Sequence, residues 1–373
     1  MITFVTVVGA RPQFIKAAVI SRLVRSAQFK GQFKEVLVHT GQHFDASMSS
    51  VFFEELGLTE PDYNLGINGG SHGEMTGSML SNIEKVLLSV RPDFVLIYGD
   101  TNSTLAAALA AAKLDIPIAH VEAGLRNYIK RMPEEQNRII ADNLSSWLFC
   151  PTDQAVINLK KEGIVDWPGD APTADLPRVL NVGDVMYDAS VFYRDLAFSR
   201  AEEQRPRARL AIPTKYRLLT LHRAENTDSS PRLAGIVAAI NKLDDLPFVF
   251  PMHPRTRRRL AEDHLVLGDH VMVLGPVGYL DMINLEAECE MVITDSGGLQ
   301  KEAYFFRKPC VNVYENSGWV EAVNAGWIVS PGVATKDIVD ATIGFKTPEA
   351  WSPLYGDGRT GQMILGQLAT SIL

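Results

Sequence analysis

The chain has 373 residues, with 36 Lys or Arg against 44 Asp or Glu and a formal net charge of −8. This length predicts two or three domains of roughly 150 residues each. The negative charge argues against a general binder of nucleic acid or of anionic membranes. A composition of 46% hydrophobic and 21% charged residues excludes a disordered chain.

Cysteine usage and the N-terminus indicate a reduced, cytoplasmic protein. Cys150, Cys289 and Cys310 are odd in number, lack Cys-x-x-Cys spacing and lie in or after apolar runs. This pattern predicts buried thiols rather than disulfides or a zinc site. The first apolar run is too short for a signal peptide, and no stretch approaches the ~20 apolar residues of a membrane span.

Short apolar runs rich in β-branched residues alternate with helical patterns along the whole chain. Runs of this kind are typical of parallel strands that are buried on both faces and separated by helices. The fold class is therefore α/β, with doubly wound parallel sheets. The predicted strands are Ile2–Val8, Glu35–His39, Phe94–Tyr98, Ile116–Val121, Arg178–Val182, Arg217–Leu221, Pro247–Met252, His270–Leu274, Met291–Thr294 and Pro309–Val313.

One sheet does not hold all these strands, and the chain offers a boundary near its middle. Trp167–Pro177 is rich in Pro, Gly and Asp and predicts a loop. A helix from about Met186 then leads into the charged segment Ser199–Arg209, after which the strand–helix series begins again. We predict two Rossmann-like domains, residues 1–184 and 185–354, with the active cleft between them.

The segment Gly9–Lys16, GARPQFIK, follows the first predicted strand directly. Gly9 permits a tight turn and Pro12 suits the first position of a helix. Arg11 and Lys16 would then lie near a helix N-terminus, which is a good anion site. The Gly-x-Gly-x-x-Gly pattern of dinucleotide binding is absent. The alternative is a helix start with two solvated cations.

A second strand-to-helix turn follows Met291–Thr294. Ser296, Gly297 and Gly298 place a small hydroxyl and exposed backbone N–H groups at a helix start, which suits a diphosphate. Glu302 lies further along that helix, where a carboxylate could accept both hydroxyls of a ribose. The alternative is a plain glycine-rich turn.

Acidic residues cluster in the first half of the chain. Asp100 and Glu122 each end a predicted strand, and Glu134 and Glu135 open a helix. Carboxylates brought together would raise one another's pKa and suit general acid–base catalysis, whereas capping of the helix is the alternative for the last two. His120 shares a strand face with Glu122, but without a third ligand at suitable spacing we expect no metal site.

Two histidines stand at the carboxyl ends of neighbouring strands in the second half. His222 follows Arg217–Leu221, and His253 follows the next strand. Both would face the same cleft, His222 as a candidate catalytic residue and His253 as a candidate for substrate binding. A structural role is the alternative for each. The basic run from Arg255 to Arg259 predicts a solvated helix face.

Taken together, these motifs resemble the non-hydrolysing UDP-N-acetylglucosamine 2-epimerase family. The resemblance runs nearly end to end, and many matches in order are more specific than any single motif. The matching segments are Gly9–Lys16, His39–His43, Gly99–Thr104, His120–Arg126, Pro133–Glu135, His222–Glu225, Asp295–Gly298, Glu321–Val323 and Tyr355–Gly358.

The resemblance implies a GT-B-like fold with a C-terminal helix, residues 355–373, that returns to the first domain. It also implies a homodimer that acts in polysaccharide biosynthesis, with a UDP-sugar as substrate and with no metal or nicotinamide cofactor. The implied reaction converts UDP-N-acetylglucosamine to UDP-N-acetylmannosamine. UDP is eliminated in anti fashion to give a 2-acetamidoglucal, and is then added back after protonation on the opposite face.

The resemblance also implies roles for individual residues. Asp100, Glu122 and Glu134 form the acid–base set, with no order of action assigned, and His222 lies near the diphosphate. Groups that hold the departing diphosphate are needed because the C2 proton is only weakly acidic. Those implied to bind UDP are Arg11, Ser296, Gly297, Gly298 and Glu302, with Glu302 at the ribose. Lys16 would support the site in the first domain.

One segment departs from the usual pattern of the family. Asn316–Ala322 replaces a Thr-Glu-Arg-Pro-Glu-Ala segment and puts Trp319 at the Arg position. A Trp-Val-Glu segment resembles a branch that epimerises UDP-2,3-diacetamido-2,3-dideoxy-glucuronate, although Gly318 stands where that branch commonly has an acidic residue.

Three further functions are compatible with this architecture. They are a hydrolysing 2-epimerase, a glycosyltransferase of the same fold, and a UDP-sugar-binding regulator without turnover. A glycosyltransferase would leave the acidic trio without a purpose, and the intact trio argues against the regulator.

Overall fold

A computed structural model describes residues 1–42, 53, 55–169, 171–315 and 317–372. His43 and Asn316, which belong to two of the motifs above, lie outside the described residues. The chain divides into two compact units, Met1–Ala189 with Pro353–Leu373, and Ser190–Ser352. Among the described helices, none combines the length and apolar character needed to cross a membrane.

In the described part of the first unit, seven parallel strands form one sheet, in the order β3-β2-β1-β4-β5-β6-β7. The strands are β1 Ile2–Val8, β2 Phe33–His39, β3 Tyr63–Asn64, β4 Phe94–Tyr98, β5 Ile118–Val121, β6 Trp147–Cys150 and β7 Arg178–Asn181. The helices are α1 Arg11–Val24, α2 His72–Val90, α3 Asn102–Lys113, α4 Pro133–Leu144, α5 Asp153–Lys161 and α6 Val185–Ser199, and the last helix, α15, is Thr360–Ile372.

Helix α3 shows how composition sets the packing in this unit. Five of its alanines, Ala106, Ala107, Ala108, Ala110 and Ala111, are fully buried among valines and isoleucines of the sheet and of α2. Small side chains let the helix approach the sheet closely, as interior packing density requires. Thr101 caps the helix by accepting the N–H of Thr104 at 3.3 Å, so α3 starts at the carboxyl edge of β4.

The last helix of the chain belongs to the first unit. A Cβ at Gly361 would lie 2.6 Å from Leu23 and 2.9 Å from Val19, so a glycine is needed where α15 crosses α1. Asp188 accepts the N–H groups of Thr360 at 3.1 Å and Gly361 at 2.8 Å. Burial raises the pKa of the Asp188 carboxyl to about 6, against the lowering effect of these hydrogen bonds.

The described part of the second unit contains a six-stranded parallel sheet in the order β10-β9-β8-β11-β12-β13. The strands are β8 Arg217–Thr220, β9 Phe248–Pro251, β10 Val271–Leu274, β11 Met291–Thr294, β12 Cys310–Asn312 and β13 Ile328–Val329. The helices are α7 Pro206–Arg209, α8 Ala224–Thr227, α9 Ser230–Lys242, α10 Pro254–Glu262, α11 Tyr279–Glu288, α12 Gly297–Phe305, α13 Val320–Asn324 and α14 Thr335–Ile343.

The α/β class with two parallel-sheet domains is confirmed, and all ten predicted strands are present with ends that differ by at most two residues. Three of the strands in the described ranges were not predicted. Trp147–Cys150 is an apolar run of only four residues, too short for its periodicity to distinguish a strand from a buried helix segment. Tyr63–Asn64 and Ile328–Val329 are two-residue edge strands that exist only through pairing with β2 and β12.

The three cysteines are free, buried thiols, as the sequence predicted. Burial raises the pKa of the Cys150 thiol well above its ordinary value, and it raises that of Cys289 to about 12. A thiol with a raised pKa is a poor nucleophile and metal ligand. These side chains therefore contribute to packing.

Candidate active site

The carboxyl ends of β4 and β5 bring two predicted site residues together. The strands pair in parallel with Tyr98 opposite Val121, so Asp100 and Glu122 leave the sheet at the same edge. Glu122 has φ +71°, a left-handed conformation that costs a non-glycine residue roughly 1 kcal/mol or more. Its N–H is held by the carbonyl of Phe149 at 3.1 Å.

Glu122 forms an ion pair with Lys16 of α1. Both side chains are buried, with 11% and 7% of their surfaces exposed. Gly99 packs directly against this ion pair, because a Cβ there would lie 3.2 Å from Glu122 Oε2 and 3.5 Å from Lys16 Nζ. The structure therefore joins a predicted acid–base residue to a cation that the sequence assigned to substrate support.

Asp100 has a partner that the sequence analysis missed. Arg138 of α4 donates to Asp100 Oδ2 at 2.5 Å and to Glu135 Oε2 at 2.7 Å. Asn137 of the same helix donates to the backbone carbonyl of Asp100 at 2.9 Å. The signal available in the sequence was the i, i+3 spacing of Glu135 and Arg138 on a helix.

Glu134 and Glu135 separate into an exposed and a buried residue. Glu135 is 1% exposed, and its carboxylate accepts the N–H groups of Asn127 at 3.2 Å and Tyr128 at 2.8 Å. It therefore fixes the loop that leads into α4, a structural role close to the capping alternative. Glu134 lies exposed in the first turn of the helix.

A chain of buried polar and charged side chains connects β5, which ends just before Glu122, with α4, which carries Glu134, and with the turn after β4, which contains Asp100. The His120 ring is fully buried, with Nδ1 2.7 Å from Asp142 Oδ1 and Nε2 2.8 Å from the carbonyl oxygen of Gly99. Asp142 also pairs with Arg126 at 2.7 Å, and Arg126 pairs with Glu162 at 2.7 Å. Burial raises the pKa of Asp142, but His120 and Arg126 together lower it below the ordinary value.

The contacts of His120 and Glu122 argue against the alternative that these two side chains ligate a metal ion. Both ring nitrogens of His120 already have partners, and the Glu122 carboxylate is paired with Lys16. Within the described ranges, no three His, Cys, Asp or Glu side chains are placed to hold a metal ion.

The turn before α1 is set by Gln13, which the sequence analysis did not single out. Its Oε1 accepts the N–H groups of Gly9 at 2.8 Å and Ala10 at 3.1 Å, and its Nε2 donates to the carbonyl of Tyr98 at 2.8 Å. These bonds fix the two residues that precede α1. Arg11 is the first residue of the helix, and it lies exposed at the carboxyl edge of the sheet.

In the second unit, a buried aspartate organises the turn after β8. Asp295 is fully buried, and its carboxylate accepts the N–H groups of His222 and Arg223, both at 3.1 Å. The amide of Asn226 donates to it at 3.1 Å. The imidazole of His222 stays 46% exposed, with Nδ1 3.4 Å from the carboxylate. Asp295 thus holds His222 at the strand edge.

The predicted diphosphate turn has the expected local geometry. Ser296 is the N-cap of α12 and accepts the N–H of Leu299 at 3.4 Å. A Cβ at Gly297 or Gly298 would find its nearest neighbour only at 3.8 and 3.9 Å. The backbone N–H groups at this helix start can therefore be approached closely by an anion.

Arg223 adds a cation beside this turn that the sequence analysis missed. Its Nε donates to the carbonyl of Asp295 at 2.7 Å, and its guanidinium lies 4.3 Å from the Tyr314 ring centre. The guanidinium is also the nearest group to a Cβ built on Gly297. An arginine fixed by a ring and a carbonyl is preorganised to bind a phosphate.

His253 and Glu302 have local structural contacts. His253 is the exposed N-cap of α10, and its Nδ1 accepts the N–H of Arg255 at 3.2 Å. Desolvation, with the nearby charges of His222 and Arg255, lowers its pKa. Glu302 is 8% exposed on α12 and accepts the hydroxyl of Tyr279 at 3.4 Å.

Trp319 is anchored to the first turn of α12. Its Nε1 donates to the carbonyl of Gly297 at 2.6 Å, and its backbone N–H is held by Ser317 at 3.2 Å. The ammonium of Lys301, which is 3% exposed, lies 4.3 Å from the Trp319 ring centre. The aromatic ring and a buried cation therefore stand next to the candidate diphosphate turn.

Two parallel-sheet α/β domains, one with carboxylates at its strand ends and the other with an anion-accessible helix start, define an enzyme of the GT-B-like class. A profile of the UDP-N-acetylglucosamine 2-epimerase family matches residues 25–369. The chain belongs to that family.

Relatives and solved structures match over nearly the full length. UDP-2,3-diacetamido-2,3-dideoxy-D-glucuronate 2-epimerase of Pseudomonas aeruginosa is 49% identical over 98% of both chains. UDP-N-acetylglucosamine 2-epimerase of Methanococcus maripaludis is 40% identical over 96% of both. The crystal structure of Methanocaldococcus jannaschii UDP-GlcNAc 2-epimerase with UDP-GlcNAc and UDP has 38% identity and a TM-score of 0.84, covering 98% of this chain and 99% of that one.

Proposed function

We propose that the protein inverts C2 of a UDP-linked 2-acetamido sugar, with UDP-2,3-diacetamido-2,3-dideoxy-D-glucuronate as its substrate. The observation that carries the reaction type is the placement of Asp100 and Glu122 at the ends of adjacent strands, each paired with a cation. Inversion at one carbon needs proton transfer on both of its faces. Two or more fixed carboxylates at one edge of the sheet can supply a proton-transfer group for each face of that carbon.

The proposed reaction is redox neutral, so it consumes no nicotinamide cofactor. A carboxylate removes the C2 proton while the C1–O bond breaks, and UDP leaves with the electron pair of that bond. The C2–H pair forms the C1=C2 double bond of a glycal. Protonation of C2 on the opposite face and attack of UDP on C1 complete the inversion. Asp100, Glu122 and Glu134 are the proposed acid–base residues.

We propose that the second unit binds UDP. The N–H groups at Ser296, Gly297 and Gly298 and the guanidinium of Arg223 offer donors for the diphosphate. His222 stands at the neighbouring strand end. Stabilising the charge that develops on the leaving diphosphate lowers the barrier of elimination. Glu302 is the proposed ribose partner, and Arg11, Lys16 and His253 remain proposed contributors to substrate binding.

One comparison favours the diacetamido glucuronate as substrate. The Pseudomonas aeruginosa enzyme of that name is 49% identical to this chain over 98% of both. UDP-N-acetylglucosamine is the second candidate, because a relative of that name in Methanococcus maripaludis is 40% identical.

Proton NMR of the purified protein in deuterated water tests the proposal. With UDP-2,3-diacetamido-2,3-dideoxy-D-glucuronate we expect loss of the C2 proton signal and appearance of the C2 epimer, still linked to UDP. Faster conversion of UDP-N-acetylglucosamine would contradict the choice of sugar. Release of free sugar with UDP would indicate a hydrolysing 2-epimerase, and no exchange with either sugar would contradict the reaction itself.

We also propose that the protein is a cytoplasmic homodimer that acts in polysaccharide biosynthesis. This rests on its membership of the family and on the buried thiols, which suit a reduced compartment. Sedimentation velocity tests the dimer. A monomer at micromolar concentration that retains full activity would contradict it.

A further inference from the structure

The His120 ring is held at both nitrogens by groups that only accept hydrogen bonds. Nδ1 faces the Asp142 carboxylate at 2.7 Å, and Nε2 faces the carbonyl oxygen of Gly99 at 2.8 Å. The pKa of Asp142 lies below its ordinary value, so the carboxylate is ionised at neutral pH. A carbonyl oxygen has no proton to donate. The contact with Gly99 is therefore a hydrogen bond in which Nε2–H donates.

This ring connects the three elements that carry the proposed acid–base residues. It bonds to the backbone immediately before Asp100, and it lies on the strand that ends just before Glu122. Through Asp142 it is tied to α4, the helix that begins beside Glu134. Asp142 in turn is fixed by the buried guanidinium of Arg126.

We propose that His120 is a positioning residue for proton transfer at C2, which rests on the function proposed above. Its Nε2–H fixes the carbonyl of Gly99 and thereby the turn that directs Asp100. Gly99 has φ +60° and Glu122 has φ +71°. Left-handed turns at two consecutive strand ends need tertiary hydrogen bonds to hold them in place.

The positional demand of proton transfer explains why such a clamp matters. A displacement of about 1 Å can cost roughly 10²-fold in rate. His120 does not touch the substrate in this scheme. Its loss should therefore lower kcat and leave binding of UDP, which involves the second unit, nearly unchanged.

Two substitutions separate the two bonds of the ring. A glutamine amide reaches the position of Nε2 and an asparagine amide that of Nδ1. H120Q therefore retains a donor to the Gly99 carbonyl and loses the Asp142 partner, whereas H120N does the opposite. Loss of the Asp142 partner leaves a buried charge under-compensated and costs stability. We expect H120N to be the more stable variant and the less active one.

The measurement is kcat and KM with the sugar that the wild type converts, together with the melting temperature and the Kd for UDP. We expect H120N to lose about 10- to 100-fold in kcat with KM and UDP affinity within about threefold, and H120Q to recover most of kcat. The matched control is H270N, because His270 donates to a backbone carbonyl at 3.0 Å in the second unit. It should leave kcat unchanged.

Three results would overturn the proposal. The first is an H120N variant whose kcat stays within about twofold of the wild type. The second is a loss of kcat in both H120N and H120Q that follows the decrease in their melting temperatures. The third is an H120N variant that binds UDP more weakly by the same factor as its kcat falls. A wild type that exchanges neither sugar would remove the proposed function and this role with it. Wild-type exchange with an unaffected H120N would remove only the role of His120.

A spectroscopic measurement on the wild type keeps the proposal testable if the variants do not fold. Nitrogen-15 NMR of histidine-labelled protein should show a proton on Nε2 of His120, as donation to the Gly99 carbonyl requires. An unprotonated Nε2 would contradict the clamp.

Discussion

The ammonium of Lys16 pairs with the carboxylate of Glu122 across 106 positions of sequence. The first residue lies on the helix after β1 and the second follows β5, so the pair exists only once the sheet has formed. Both side chains are largely buried, and a pair of this kind penalises the loss of either partner because the other charge remains. We therefore expect Lys16 to contribute to stability as well as to the proposed site.

Replacing Lys16 with methionine should destabilise the protein and lower its activity. The change leaves the buried Glu122 carboxylate without its cation, at a cost on the order of 3 kcal/mol. We expect kcat to fall by at least about tenfold, since the carboxylate is no longer fixed. Thermal unfolding and kcat measure the two effects.

The matched control for this prediction is the double variant K16M/E122Q. Removing both charges should recover most of the lost stability, although activity stays low because the proposed acid–base group is gone. If K16M and E122Q lower stability additively, the two side chains are not coupled.

Gly99→Ala should lower both stability and activity. The new methyl group would lie 3.2 Å from Glu122 Oε2, and the backbone at φ +60° disfavours any side chain. We expect a loss of about 1 to 3 kcal/mol and a clear decrease in kcat. G31A is the control, because Gly31 has φ +81° with open space around its Cβ position. G31A has the conformational cost of an alanine at positive φ without any steric contact. Equal kcat values for G99A and G31A would contradict the claim that the new methyl group displaces Glu122.

Trp319 should influence the choice of sugar. W319F removes the hydrogen bond from the indole to the carbonyl of Gly297 and loosens the ring next to Lys301. We expect kcat/KM for the preferred sugar to fall by about tenfold, the usual order for losing one buried hydrogen bond. W319R should raise the relative use of UDP-N-acetylglucosamine.

Trp351 provides the matched control for Trp319. Its indole also donates to a backbone carbonyl, that of Tyr304 at 3.0 Å, and it also faces a cation, Arg307 at 4.7 Å. W351F should leave the ratio of the two sugars unchanged. An equal shift in both variants would show that the loss of an indole alone explains the effect.

Asp188 should make the stability of the first unit depend on pH. Its pKa is raised to about 6 in the folded protein from an ordinary value of 3.8. The folded state therefore binds the proton more tightly than the unfolded state between these values, and stability falls as pH rises from about 4 to 6. The change is on the order of 3 kcal/mol.

Urea unfolding of the wild type and of D188N across pH 4 to 7 measures this dependence. The asparagine cannot titrate, so the difference in unfolding free energy between the two proteins should change with pH only within this window. A difference that is constant with pH, or that grows in the opposite direction, would contradict the raised pKa.

The strands and the two strand-to-helix turns could be predicted because their signals are local. Apolar runs identify β1 and β4, and the glycines at Gly297 and Gly298 identify the helix start. The partners of the site residues could not be predicted in this way. Arg138 reaches Asp100, and Asp295 reaches His222, only through tertiary packing, and Asp295 has no sequence signal beyond its place in a shared motif.

His120 illustrates the limit most clearly. From spacing alone, its place on one strand face with Glu122 suggested a metal ligand as an alternative. Its actual partners are Asp142, on a helix 22 positions later, and the carbonyl of Gly99 in the turn after the neighbouring strand. Only the folded sheet brings these groups within hydrogen-bonding distance.

The acid–base assignment is tested most directly by C2 proton exchange in deuterated water for the wild type and for D100N, E122Q and E134Q. Each amide variant keeps the shape of the side chain and removes its ability to exchange a proton. We predict exchange in the wild type, loss of exchange by about 10²-fold or more in each variant, and UDP affinity within about threefold. Exchange that persists in all three variants would contradict the assignment.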